Sequence, residues 1–344
     1  MERTFQTAKM SGVNFPYPVL LCDIGGTNAR FALAPSPGAP LRRGPHLKTA
    51  AYPSFEACLA FVTAQLGAPP RSLIACAAGP VEERGVKLTN AAWTIEGEAV
   101  AAHASLSQGL LLNDFEALAL SLPVLQNDAT LSIGPAFAKR AGLQLVLGLG
   151  TGFGAAALVA LEGRHFALAS EAGHMDFGPA GAEQAALWTH LDASAHGRIS
   201  VETVLSGPGL ARLHRARCAV KGEIAPDLDD IMLLEAAHGS PTGDEADTLR
   251  LAWTLVARLA GDLALALLAE GGVTLAGGVL PRMANFLDPL EFRAHFESKS
   301  PMAGLMRGVR ARLITAEDCV LAGMAAIATA PRAYAIDYER RTWR

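Results

Sequence analysis

Val19 to Leu33 reads VLLCDIGGTNARFAL. An apolar run ends in Asp23, a turn follows at Gly25 and Gly26, and a second apolar run leads away. The paired glycines can take backbone angles closed to other residues and let a ligand approach the main chain. Thr27 and Asn28 add short side-chain donors and acceptors beside freed backbone N–H groups, which suits a phosphate. Arg30-Phe31-Ala32-Leu33 then runs into Pro35 and Pro37, so the turn joins two strands and opens no helix. Dinucleotide-binding and Walker loops need a helix there, and the chain has no GK[ST] tripeptide. The stretch is a phosphate-binding hairpin of another kind.

The device occurs twice. Leu145 to Leu158, LVLGLGTGFGAAAL, repeats apolar strand, glycine turn (Gly148, Gly150, Thr151, Gly152, Gly154) and apolar strand. Glycine-rich hairpins are common turns taken singly. As a pair about a hundred residues apart, they imply two related α/β lobes serving one nucleotide, and so a phosphotransferase.

A length of 344 residues favours two domains. The chain is 51 % hydrophobic and 18 % charged, which fits a globular α/β enzyme. A net charge of −4 without a basic block argues against nucleic acid as a partner. No apolar segment reaches membrane-spanning length without a Gly or a charge, and the leader lacks the apolar core of a signal peptide. The five cysteines are scattered, without CxxC spacing, as expected of buried thiols in a cytoplasmic protein.

Residues 1 to 18 read as a loose leader. Ser54 to Leu66 predicts a helix with an apolar stripe at Phe55, Leu59, Val62 and Leu66, capped by Ser54. Leu73-Ala77 and Val86-Leu88 predict strands, the latter followed by a loop through Asn90 to Trp93. Leu110-Leu112 predicts a short buried strand with Asn113-Asp114 at its carboxyl end and a helix from Phe115 to Leu122. Ligands of open α/β sheets collect at such ends, although Asn and Asp are also the preferred helix caps. Glu171 and His174 have di-iron spacing, but Gly173, Gly178 and Pro179 make their segment a loop, which excludes the helical bundle that iron requires. Two readings remain for them, a satisfied buried histidine or a pair bonding the hydroxyls of a polar ligand. Ser200 caps a helix carrying Glu202 in its first turn, where the helix dipole alone could account for the glutamate. Ser206-Gly207-Pro208-Gly209 reads as a break before a helix at Leu210. Asp244 to Glu270 predicts a long buried helix ended by Gly271-Gly272. Val273-Ala276 is a strand, Gly277-Gly278 a third glycine turn where a flat base could lie, Glu317-Ala328 the last helix, and the remainder a polar tail.

In order, DIGGTNAR (23–30), LLNDFEALA (111–119), GLGTGFG (148–154), EAGHMDFGP (171–179), SVETVLSGPGL (200–210) and LAGGVLPR (275–282) resemble the bacterial ATP-dependent glucokinase family. The resemblance implies an α/β fold of two actin-like ATPase (ribonuclease H-like) lobes with a cleft between them. Residues 1–123 plus 317–344 would form the small domain and 124–316 the large one. It implies transfer of the γ-phosphate of ATP to the 6-hydroxyl of glucose. Asn113, Asp114, Glu171, His174 and Glu202 would ring the sugar. Asp114 would be the general base, kept ionised at neutral pH by the first turn of its helix. Gly25, Gly26, Thr27, Asn28, Gly150, Thr151, Gly152, Gly277 and Gly278 would hold ATP, with Asp23 close to Mg²⁺ through water. A homodimer is implied as well. Glycine is usual in the family where Ser170 and Ala172 stand here. No cysteine cluster follows His174, which puts the chain with the zinc-free branch. Three alternatives remain: a kinase for another hexose or phosphoryl donor, a sugar-sensing regulator of the same fold, and an ATPase working by domain motion.

Overall fold

A computed structural model of the chain describes residues 13–89, 91–135, 140–191 and 197–343. Its contacts group into two compact units. Unit 1 comprises the described residues up to Val124, Glu162–Phe166 and those from Val320 onward, and unit 2 comprises Leu125–Leu161 and Ala167–Cys319.

Along the chain, unit 1 opens with β1 (Val19–Ile24), β2 (Asn28–Ala34) and β3 (Arg42–Lys48). Helix α1 (Phe55–Gln65) begins where Ser54 accepts a hydrogen bond from the Ala57 N–H. There follow β4 (Ser72–Ala77), a small meander β5 (Val81–Glu82), β6 (Gly85–Lys87) and β7 (Thr94–Glu96), then α2 (Gly97–Ala104), β8 (Gln108–Asn113) and α3 (Asp114–Ser121). Unit 2 supplies β9 (Thr130–Ile133), β10 (Gln144–Leu149), β11 (Phe153–Leu161) and, from Ala167 on, β12 (Arg164–Ser170). Its helices are α4 (Ala182–Trp188), α5 (Val201–Val204), α6 (Gly207–Val220), α7 (Asp230–Gly239) and α8 (Asp244–Ala266). It continues through β13 (Gly272–Ala276), α9 (Pro289–Glu297), α10 (Ala303–Met306) and β14 (Ala311–Ile314). The chain returns to unit 1 with α11 (Cys319–Thr329), α12 (Tyr338–Arg341) and β15 (Thr342–Trp343).

Both glycine stretches form hairpins. Asp23 pairs with Arg30 across β1 and β2, and Gly148 with Gly154 across β10 and β11. The two sheets share one plan. In unit 1 the order is β15-β8-β4-β1-β2-β3, with β1, β4 and β8 parallel and β15 antiparallel at the edge. In unit 2 it is β12-β11-β10-β13-β14-β9, with β10, β13 and β14 parallel and β9 antiparallel at the edge. The parallel strands are mostly apolar, as strands buried on both faces are. Ser72–Ala77 is buried at every position, and in unit 1 Phe55, Leu59 and Val62 of α1 pack into the same core as Leu20, Cys22 and Leu73.

Four expectations need correction. Of the leader, residues 1–12 lie outside the described residues, but the part from Val13 on is not loose. Phe15 is fully buried, and Ser72 Oγ donates to the Pro16 carbonyl at 2.7 Å. The Ser206-Gly-Pro-Gly motif starts α6 instead of preceding it, because Ser206 caps the Gly209 N–H at 3.0 Å and Pro is favoured in a first turn. Helix α8 stops at Ala266, before the glycines, and Leu268 takes a left-handed φ of 48°. The polar tail carries the edge strand β15, whose Trp343 is 1 % exposed. In the loop after β6, Asn90 is outside the described residues, while Trp93 is buried and donates to the Tyr52 carbonyl.

Trp343 fits only because its cross-strand partner Gly109 has no side chain: a Cβ there would stand 2.1 Å from the indole. Gly109→Ala should therefore lower stability by about 1–3 kcal/mol, the usual cost of overpacking. Thermal unfolding followed by circular dichroism checks this, and an unchanged midpoint would refute it.

Candidate active site

In unit 1, the register β1-β4-β8 aligns Asp23 with Cys76 and Cys76 with Leu112 at the carboxyl ends of three parallel strands. Asp23 forms an ion pair with Arg30 at 3.6 Å and accepts the Cys76 thiol at 3.4 Å. Burial pushes its carboxyl up, partly opposed by Arg30. Asn113 caps α3: its Oδ1 accepts from Phe115 and Glu116 N–H, Glu116 returns a bond to the Asn113 N–H, and its Nδ2 donates to the Gly79 carbonyl. The amide is thus largely committed to holding the strand-to-helix corner. A second amide hydrogen is left for a ligand.

Asp114 is the first residue of α3, and Phe115 N–H donates to its Oδ1 at 2.9 Å. Its carboxyl is pushed up to about 7, chiefly by burial, against the pull of the Phe115 N–H, with Asp23's charge adding to the rise. The helix terminus therefore does not hold it fully ionised at neutral pH. Desolvation outweighs the dipole.

The first turn is closed by Gly25 N–H on the Asn28 carbonyl and steadied by Thr49, whose hydroxyl donates to Gly26 O and whose N–H donates to Thr27 O. Gly25 has an ordinary φ, and a Cβ there would meet only Asn28 O at 3.4 Å. Its glycine is not demanded by backbone angle, contrary to the sequence reading.

In unit 2, bare backbone is required. A Cβ at Gly152 would stand 2.3 Å from the Glu202 carboxylate, and one at Gly277 (φ +94°) would stand 2.2 Å from Leu149 O. Gly150 and Gly278 would meet nothing within 4 Å, and Thr151 is exposed. Glu202 Oε2 accepts the Phe153 N–H at 2.9 Å, so this carboxylate lies against the second turn. Glu171 and His174 sit 3.8 Å apart with side chains 82 % and 61 % exposed. The buried-histidine reading is therefore wrong. Their loop is tied to the segment leading to Glu202: Val201 N–H donates to Met175 O, and Phe177 N–H donates to Ile199 O.

Sequence reading missed the supports. Arg30 could have been found by counting cross-strand partners of Asp23. Cys76 and Arg258 depend on long-range packing. Arg258 donates to Gly178 O at 2.6 Å and lies 4.3 Å over the Phe177 ring, fixing the far end of the Glu171–His174 loop.

Among the described residues no three His, Cys, Asp or Glu side chains group to hold a metal, and no helix is long and apolar enough to cross a membrane. Mg²⁺ needs less than such a cage, commonly one or two carboxylates with water and substrate phosphates. Asp23, a buried carboxylate at a strand end, fits that description.

Two sheets of one plan, each built around a glycine hairpin, define the actin-like ATPase fold in the form used by sugar kinases. The glucokinase family model matches residues 20–331. A glucokinase of Sinorhizobium medicae is 35 % identical over 97 % of this chain and 98 % of its own. One of Rhizobium meliloti is 36 % identical over 96 % and 98 %. Among solved structures, a glucokinase from an Antarctic psychrotroph superposes with TM-score 0.77 at 33 % identity, covering 90 % of this chain and 97 % of that one. At 21 % identity, the glucose complex of the Balamuthia mandrillaris glucokinase shares the fold with TM-score 0.76, over 93 % of this chain and 95 % of that one. The chain belongs to the glucokinase family, and it is an ATP-dependent hexose kinase.

Proposed function

We propose that this kinase moves the γ-phosphate of ATP to the 6-hydroxyl of glucose, with Asp114 as general base. The observation that carries the reading is Asp114 itself: a carboxylate at a parallel-strand end, one oxygen fixed by its own helix and a pKa near 7. A base poised near the working pH is the most effective kind. As the sugar oxygen bonds to the γ-phosphorus, the bond from that phosphorus to the β–γ bridging oxygen breaks and ADP leaves; the hydroxyl proton passes to Asp114, and Asn113 beside it donates to a ring hydroxyl. Glu171, His174 and Glu202 accept and donate hydroxyl hydrogens elsewhere on the ring. Gly25, Gly26, Thr27, Asn28, Gly150, Thr151, Gly152, Gly277 and Gly278 take the nucleotide. Asp23 would help hold Mg²⁺, which when bound would neutralise phosphate charge. We also place the enzyme in the cytoplasm and, as the family resemblance implies, make it a homodimer.

A coupled assay across several hexoses with ATP, ADP or polyphosphate tests the reading. Glucose with ATP should give the highest kcat/KM, and a better pair would replace the assignment. Glu171→Gln should raise the glucose KM on the order of tenfold with little change in kcat, the effect of weakening one charge-assisted hydrogen bond in binding. An unchanged KM would remove Glu171 from the sugar site.

A further inference from the structure

Residues 202–207 grip the second glycine turn at both ends. Phe153 N–H donates to Glu202 Oε2 at 2.9 Å, and Gly207 N–H donates to Gly150 O at 2.8 Å. The clip is itself braced, since Ser206 Oγ donates to the Glu202 carbonyl at 2.8 Å and caps α6 through Gly209 N–H at 3.0 Å. Within the turn, Gly150 N–H donates to Gly152 O at 2.8 Å.

The position of Glu202 at the start of α5 does not explain its side chain. That helix has four residues, and its cap is already made by Ser200 and Thr203, which bond each other's backbone N–H groups. The Glu202 carboxylate reaches instead across 49 residues of sequence to Phe153. It also fills the space a Gly152 side chain would occupy. Nothing stands within 4 Å of a Cβ at Gly150. The turn is thus held by the carboxylate at Gly152 and Phe153 and left clear of protein at Gly150, as a preorganised anion cradle needs.

We infer that Glu202 is a positioning residue for the donor nucleotide, holding the 150–153 turn in its phosphate-receiving shape, in addition to any contact it makes with sugar. This rests on the reading of that turn as nucleotide-binding. It gives one side chain two separable duties: Oε2 holds the turn, and Oε1 is left for the sugar.

The test is the affinity of the full chain for AMPPNP, measured by titration calorimetry without sugar, with folding checked by circular dichroism. Glu202→Gln keeps an oxygen acceptor of the same reach and should bind within about twofold of the parent. Glu202→Ala and Glu202→Asp lose that reach and should both bind about tenfold more weakly, the loss of one hydrogen bond to a charged group. The aspartate variant keeps the charge, so matched losses in the two identify reach as the cause. In the same series Glu202→Gln should raise the glucose KM, which separates the sugar duty from the positioning one. If Gly150→Val weakens AMPPNP binding while Glu202→Ala and Glu202→Asp bind as the parent does, the positioning role is wrong. If Gly150→Val also binds normally, the turn is not a nucleotide site, and the inference falls with that reading.

Discussion

Asp114→Asn is expected to lower kcat by about two to four orders of magnitude, the range for losing a general base. The amide oxygen can still accept the Phe115 N–H that holds Asp114 Oδ1, so the strand-to-helix corner should survive. Glucose binding should change little, since an amide keeps most of the hydrogen bonding. The pH profile carries independent information. A base must be ionised to act, and this carboxyl is raised from 3.8 to about 7 by burial. The parent rate should therefore climb with pH and level off above about 7, and the variant should lose that limb. Stability should move the opposite way. The folded chain holds this proton more tightly than the unfolded chain, so the parent's stability falls as pH rises from about 4 to about 7. Asp114→Asn should therefore be stabilising relative to the parent at pH 8 and near neutral in effect at pH 4. Steady-state kinetics and denaturant titration at both pH values measure these outcomes. Near-normal turnover would remove Asp114 as the base.

The second large effect is expected at Gly150. A Cβ there would have no protein atom beyond its chain neighbours within 4 Å, so Gly150→Val should fold as the parent does. Its two methyl groups would crowd a turn whose main chain a phosphate must approach. Nucleotide affinity should fall by about a hundredfold or more, since the ligand loses backbone hydrogen bonds of the charge-assisted kind. Glucose binding without nucleotide should be unchanged. Gly152→Ala makes a useful contrast because its methyl group points into Glu202 and should perturb both substrates. Equal nucleotide affinity in folded Gly150→Val would exclude the turn from the site.

Local signals were legible in sequence wherever one segment decides its own structure. The hairpin at Asp23–Arg30, the Ser54 and Ser200 caps and the strand ending at Asn113 all follow from patterns a few residues long. What escaped depends on partners far away in the chain. Trp343 needs Gly109 beneath it, and Phe15 needs the core of unit 1. The ionisation of Asp114 was misjudged for the same reason. A helix terminus can be read from sequence, but the desolvation that outweighs it is a property of the packed sheet. At Gly277 the left-handed φ and the approach of Leu149 O justify the glycine fully, whereas at Gly25 they do not.

The shared plan of the two sheets hides a difference in timing. In unit 2 the antiparallel edge strand β9 precedes its partner β14 in the chain and is waiting when that partner emerges. In unit 1 the order is reversed: β8 ends at residue 113, and its cover, β15, is residues 342–343. At ribosomal rates of about 5–20 residues per second, the interval is on the order of tens of seconds. Throughout it, the Gly109-Leu110 edge that β15 will cover carries unpaired N–H and C=O groups, the kind of template on which nascent chains aggregate. Demand for a chaperone during synthesis should therefore centre on β8, and it should end when Trp343 closes over Gly109.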